Sequence, residues 1–314
     1  MKKLLQSIGL ICFLLISLPC VGQTVDNKVP MYGEVPKSKK YQEMDEDFIK
    51  DLVKQFGSKE KAYEAHIKFA LSYFYHDSLA LSMKRFNQAW LLDPDAPECY
   101  FGFGALTEMK GNYTEANRLY ALGFKKRAKK ERVEEALLKI ADCQEHRNDF
   151  QGTVNTYHRI TEINPANIFA YKKLGYLYSG FDMKEESLFN YSKAIALDPV
   201  DKGTYNNRGY LYHKNKDYEK AIVDYSKAIE LDPKYISAYV NRGLSKNELE
   251  DFVGAKEDFQ MSADLDPKSP ELKRYLGYAK YNVKDIEGAC TEFSILLKMG
   301  YVEAQEWMKE INCK

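Results

Sequence analysis

Residues 202–235 read as two amphipathic helices joined by a tight turn. In the first half Tyr205, Arg208, Gly209 and Tyr212 fall on one helical stripe, and in the second half Ala221, Tyr225 and Ala228 repeat that spacing. Lys216-Asp217-Tyr218 supplies the turn. Asp232-Pro233 ends the second helix, because proline disfavours helical geometry in the residue before it. The pattern returns at a constant interval, with Gly175, Gly209, Gly243 and Gly277 in step with Pro165, Pro199, Pro233 and Pro267. A period of roughly 34 residues predicts stacked helical hairpins. Gly209 and Ala221 are small where two helices must approach closely, Tyr225 fills the space between hairpins, and Ala228 lies where the next hairpin crosses.

Weaker copies precede the regular ones, giving seven units: 63–96, 97–130, 134–167, 168–201, 202–235, 236–269 and 270–301. Phe86 to Tyr120 keeps the interval, but Tyr120 to Tyr157 exceeds it by three. The extra residues coincide with the charged run from Lys125 to Arg132, which reads as a longer second helix with a polar overhang. That run offers a contact for an acidic partner or a lipid headgroup, or is simply a solvated helix end. Residues 302–314 form a short capping helix with Ala304, Trp307, Met308 and Ile311 on its apolar side. An open-ended array needs such a cap. At the other end, 23–62 reads as a polar leader followed by a capping helix over Met44 to Gln55.

The aromatic-Leu-Gly-Tyr then Ala-aromatic-Ala-Pro order resembles the tetratricopeptide repeat family. Tyr171, Leu174, Gly175, Tyr178, Tyr191, Ala194 and Pro199 carry it in one unit. Tyr205, Gly209, Tyr212, Ala221, Tyr225, Ala228 and Pro233 carry it in the next. The resemblance implies an all-α, right-handed superhelical solenoid of about seven hairpins, whose first helices line a concave face. Family ligand positions, transferred to this chain, give Lys172, Tyr176, Asn206, Tyr210, His213, Val240, Leu244, Arg274, Tyr278 and Tyr281 as a groove for a protein or peptide partner. Tyrosines at three of four equivalent places would make an aromatic ladder or would merely cover neighbouring helices. The family's carboxylate clamp does not fit, since Tyr176, Ser237 and Asn241 stand where it needs Asn, Lys and Arg. Glu108, Asp142 and Glu145 on the same expected face would make the N-terminal half of the groove acidic.

Charge and candidate chemistry narrow the function further. Basic and acidic side chains number 46 each, which argues against a nucleic-acid binder. The five histidines fall at unrelated repeat positions, and the chain carries no phosphate loop, nucleophile motif or metal-ligand spacing. A non-catalytic interaction module without cofactor is expected. Lys2-Lys3, an apolar run over Leu4 to Leu18 and small residues before Gln23 read as a secretory signal over residues 1–22. A periplasmic scaffold is the setting this predicts. The alternative is a glycan- or ligand-handling accessory lipoprotein of the outer membrane, lipidated at Cys20, although Pro19 and Ser17 match a lipidation motif poorly. Export favours disulfides. Cys290 lies early in the last unit's second helix, and an antiparallel cap brings Cys313 back to its level, roughly 12 to 17 Å from the turn by helical rise. A Cys290–Cys313 disulfide is therefore expected, while Cys99 and Cys143 sit at different levels and are not expected to pair.

Overall fold

The computed structural model describes residues 29–31, 37–126 and 130–313. The expected signal segment, Cys20 and most of the leader lie outside them. Among the described residues every helix belongs to one series. It begins with α1 (Lys39–Phe56), α2 (Lys59–Tyr75), α3 (Leu79–Leu92), α4 (Pro97–Glu108), α5 (Tyr113–Lys125) and α6 (Lys130–His146). It continues with α7 (Phe150–Ile163), α8 (Ile168–Gly180), α9 (Lys184–Leu197), α10 (Lys202–Lys214) and α11 (Tyr218–Leu231). It ends with α12 (Ile236–Glu248), α13 (Phe252–Leu265), α14 (Pro270–Asn282), α15 (Ile286–Lys298) and α16 (Ala304–Glu310). The fold is the all-α array of tetratricopeptide-type hairpins that the period predicts, and among the described residues no helix is long and apolar enough to cross a membrane.

Local chemistry sets the helix ends. Asp182, Lys216, Glu250 and Lys284, one from each regular unit, take the left-handed conformation in the turn inside the hairpin, with φ of 57° to 67°. That conformation at a helix end satisfies carbonyls the helix cannot. Asp251 and Asp285 accept backbone N–H bonds from Gly254 and Gly288, each at 2.9 Å, which caps α13 and α15.

Contacts divide the chain into two compact units at Arg159/Ile160. In the second unit each eighth-position glycine meets a second-helix ring. A Cβ added at Gly175, Gly209, Gly243 or Gly277 would stand 2.7, 2.8, 3.0 or 2.5 Å from Tyr191, Tyr225, Phe259 or Phe293, respectively. Those four rings are buried, so they are packing and carry no site chemistry. Between the rings run ion pairs with the same period. Arg208 Nε and Nη2 both donate to Asp224 at 2.8 Å, and Nη1 donates to Ser192 at 3.0 Å on the preceding hairpin. Arg242 repeats this on Asp258 at 2.9 and 2.6 Å and on Ser226 at 2.9 Å. The array ends in α16, whose Trp307, Met308 and Ile311 pack on Phe293, Leu296 and Tyr278. Cys290 and Cys313 are joined by a disulfide with Cα atoms 5.6 Å apart.

The first unit departs from the expected regularity. Every residue of α4 except Glu98 is buried. The neighbour α6 packs on α4 and also on α2. Both α2 and α6 have 17 residues, starting four residues before the expected unit boundaries. The extra residues near Lys125 thus do not lengthen the second helix, as the charge run suggested. That helix, α5, ends at Lys125 with an ordinary 13 residues, and the insertion goes to the connector and the first turn of α6. The N-terminal helix α1 is longer than the expected Met44 to Gln55, and its Leu52 is buried with Ala62 and Leu92.

Candidate functional site

The first-helix face of the second unit follows from the glycine packing. With the eighth residue turned against a second-helix ring, the ninth points about 100° away around the helix, toward solvent. Tyr176 is accordingly 67% exposed and Tyr210 52% exposed. They stand at the same position of α8 and α10, two first helices that touch. Phe169 lies seven residues before Tyr176, on the same side of α8, and is 51% exposed. The ammonium of Lys173 sits 5.5 Å above its ring. Phe169, Tyr176 and Tyr210 therefore leave three large rings in water on adjoining helices.

The other expected groove residues are engaged within the fold. Lys172 pairs with Asp201 at 2.6 Å. Asn206 is buried and accepts from Asn241 Nδ2 at 3.1 Å. The Ser245 hydroxyl donates to the Asn241 carbonyl at 3.0 Å and so accepts from His213 Nδ1 at 2.8 Å. Burial lowers the His213 pKa, so the ring is neutral near pH 7. Val240 and Leu244 pack against the apolar cluster of α13 and α14. Arg274 stacks over Tyr275 at 5.3 Å. Tyr278 contacts Phe293 at 5.3 Å and Trp307 of α16 at 6.0 Å, and its burial raises the hydroxyl pKa. Tyr281 packs on the same cluster. The structure thus keeps Tyr176 and Tyr210 as open rungs, replaces the third by Leu244 and covers the fourth.

The tetratricopeptide-repeat pattern matches residues 135–167 and 204–235. The first spans α6 and α7, the second α10 and α11, so both fall on complete hairpins. Both matched hairpins are tetratricopeptide repeats. The fold is shared with the C-terminal part of a tetratricopeptide repeat-containing protein from Cytophaga hutchinsonii, at 17% identity over 76% of this chain and 98% of that one, with a TM-score of 0.54. It is also shared with MamA, at 21% identity over 55% of this chain and 94% of that one, and with MamA residues 41 to end from Desulfovibrio magneticus RS-1, at 17% over 53% and 94%. Both have a TM-score of 0.50. At these identities the likeness concerns fold alone. No curated protein matches the chain.

Phe169 stands at the second position of its unit, one of the positions that the resemblance to tetratricopeptide repeats marks as ligand-facing. Sequence reasoning passed over it although that position was the available signal. In the first unit the expected acidic face does not form. Glu108 is buried, accepting from Tyr120 Oη at 2.9 Å and Asn155 Nδ2 at 2.7 Å. Glu145 accepts from Tyr157 Oη at 2.6 Å, which leaves Asp142 as the exposed member of the three. The basic run is likewise partly consumed, with Lys126 on Asp95 at 3.0 Å and Arg132 on Glu98 at 2.8 Å. A groove of about 1020 Å³ remains between α2 and α6, lined by Tyr63, Ile67, Leu71, Arg132, Ala136 and Lys139. Beyond it the two helices close, with Cys143 Sγ 3.6 Å from the Leu71 carbonyl and His146 stacked on Tyr75 at 3.5 Å. Among the described residues no group of His, Cys, Asp or Glu could hold a metal ion.

Proposed function

We propose that this protein is a non-catalytic interaction scaffold that takes an apolar segment of a protein partner on Phe169, Tyr176 and Tyr210. The observation that carries the reading is that these three rings, each more than half exposed, stand together on two first helices that touch. Tyrosine and phenylalanine offer wide contact area with few rotatable bonds, which is why aromatic anchors dominate many interfaces. The N-terminal apolar run and the Cys290–Cys313 disulfide support an exported, periplasmic setting, where such a bond persists.

The test compares purified wild type with Phe169→Ala/Tyr176→Ala/Tyr210→Ala by quantitative cross-linking to envelope proteins. The variant should keep its helical circular dichroism and lose partner capture by roughly 30-fold or more, the scale of one interface hot spot. Equal capture by both proteins refutes the site. Stabilisation by oligosaccharide with no protein captured would replace this reading by the glycan-handling one. A mature chain that still carries Met1 would remove the export reading.

A further inference from the structure

The last helix begins an eighth unit and stops halfway. Ala304 holds the first repeat position and Trp307 the fourth, where Tyr205 and Tyr239 stand in complete units. This helix, α16, has 7 residues against 13 in α14. Two turns of helix are not stable alone in water. Its buried face, Ala304, Trp307, Met308 and Ile311, lies on Tyr278, Tyr281 and Phe293, with Trp307 5.7 Å from Phe293. The chain enters it through Gly300, held at φ 95°, and leaves it at Cys313. Cys290 in the second turn of α15 anchors that exit, while Cys99 and Cys143 remain free and buried elsewhere. The disulfide thus occupies the role that the missing half of the helix plays in a full unit.

We propose that this stub is a thiol-sensitive lid. The Cys290–Cys313 bond holds α16 on the last hairpin, and reducing it releases the helix and bares Tyr278, Tyr281 and Phe293. A dithiol reductant supplies two electrons and two protons: the S–S bond breaks, two thiols form, and the reductant's own sulfurs join in a disulfide. With a sequence separation of 23, closing the loop favours the docked segment by about 300-fold over an untethered one. Once the bond is open, four apolar side chains and the Ser294 hydroxyl, which donates to Met308 Sδ at 3.9 Å, hold the segment. In the oxidised protein the exposed ladder ends at Tyr210, and release would add Tyr278. That last consequence rests on the proposed binding reading; the release itself does not.

Hydrogen exchange of the full chain, oxidised and then treated with dithiothreitol, tests the lid. Amides of 304–311 should lose about 300-fold of their protection on reduction. Amides of α8 to α14 should keep theirs, and Trp307 emission should shift to the red. Cys313→Ser should behave like the reduced protein without any reductant. Unchanged protection of 304–311 in both the reduced protein and Cys313→Ser overturns the proposal. So does loss of protection through α14 and α15, which would make the bond a general staple, or an intact mass showing both thiols free before reduction. Release of α16 together with equal partner capture by the Phe169/Tyr176/Tyr210 variant would leave the lid standing and remove only the binding reading.

Discussion

Replacing Asp224 by Ala isolates the periodic ion pair. Asp224 is 4% exposed and takes two hydrogen bonds from Arg208 at 2.8 Å. Its removal leaves the guanidinium with Ser192 as its remaining hydrogen-bond acceptor. Breaking a fully buried pair costs about 3–5 kcal/mol. The Arg208 side chain is 19% exposed, so water recovers part of that. The expected loss is about 2–3 kcal/mol. At about 2–4 °C per kcal/mol for a body of this size, Tm should fall by about 5–10 °C. Asp258→Ala should cost more, because Asp258 holds both Arg242 at 2.6 Å and Lys246 at 2.9 Å and its loss strands two cations. Replacing Arg208 and Asp224 together by Met and Leu should recover most of the loss, since the expense lies in the unpaired charge. Thermal melts give the magnitudes, and hydrogen exchange over α10 and α11 shows where stability is lost. An Asp224→Ala protein within about 0.5 kcal/mol of wild type, the range of an ordinary surface substitution, would refute the reasoning. So would an Asp258→Ala protein that melts above Asp224→Ala.

Two further outcomes follow from the packing. His66 is buried, donates from Nδ1 to the Ala62 carbonyl at 2.8 Å, and has its pKa lowered to about 4 by burial and by Arg85. An unfolded histidine titrates near about 6.5, so the unfolded chain takes the proton first. Stability is therefore full above about pH 6.5 and falls as pH drops toward 4, by about 2 kcal/mol at pH 5. Urea unfolding at pH 7.5 and 5.0 should show that step in wild type and not in His66→Leu; an equal step in both would remove the assignment. Gly277→Ala forces a Cβ to 2.5 Å from the Phe293 ring and should cost about 1–2 kcal/mol after the helical gain of alanine. Gly180→Ala meets nothing within 4 Å and should stabilise by about 0.5–1 kcal/mol. Melting temperatures that rise in both variants would contradict the close approach at Gly277.

The regular hairpins were legible because glycine, ring and proline each answer a local demand that recurs once in every unit. Gly209 against Tyr225 and Gly277 against Phe293 are that demand seen in three dimensions. The face was less legible. Periodicity gives the direction in which Tyr176, Leu244 and Tyr278 leave their helices, but not how far a neighbour covers them. Leu244 and Tyr278 are covered by residues of α14 and α16 that belong to later units. The ion pairs were visible in principle, since Arg208 and Arg242, and Asp224 and Asp258, keep the same interval. Partners on two antiparallel helices escape a search for neighbours on one helix.

The contrast between the units follows from one helix. In α4, Cys99, Tyr100, Phe101, Phe103, Ala105 and Leu106 leave no polar side, and a helix apolar all round must be buried all round. Gly102 and Gly104 let it sink, since a Cβ there would stand 2.3 and 2.9 Å from the Phe86 and Tyr120 rings. With α4 sunk, α6 reaches α2 across it, and its early start at Lys130 places Arg132 on Glu98. The thirteenth positions of that unit are then spent on packing, as the stack of Tyr75 on His146 shows, while Ile67 and Leu71 line the groove between α2 and α6. In α8 and α10 the same face carries Phe169, Tyr176 and Tyr210, each more than half exposed. Giving α4 a polar side at Phe101, which is fully buried against Tyr120 and Phe124, would therefore not free the face it packs on. It would bury an unsatisfied group and unfold the first unit, whereas substitutions at Tyr176 and Tyr210 should leave stability within about 0.5 kcal/mol.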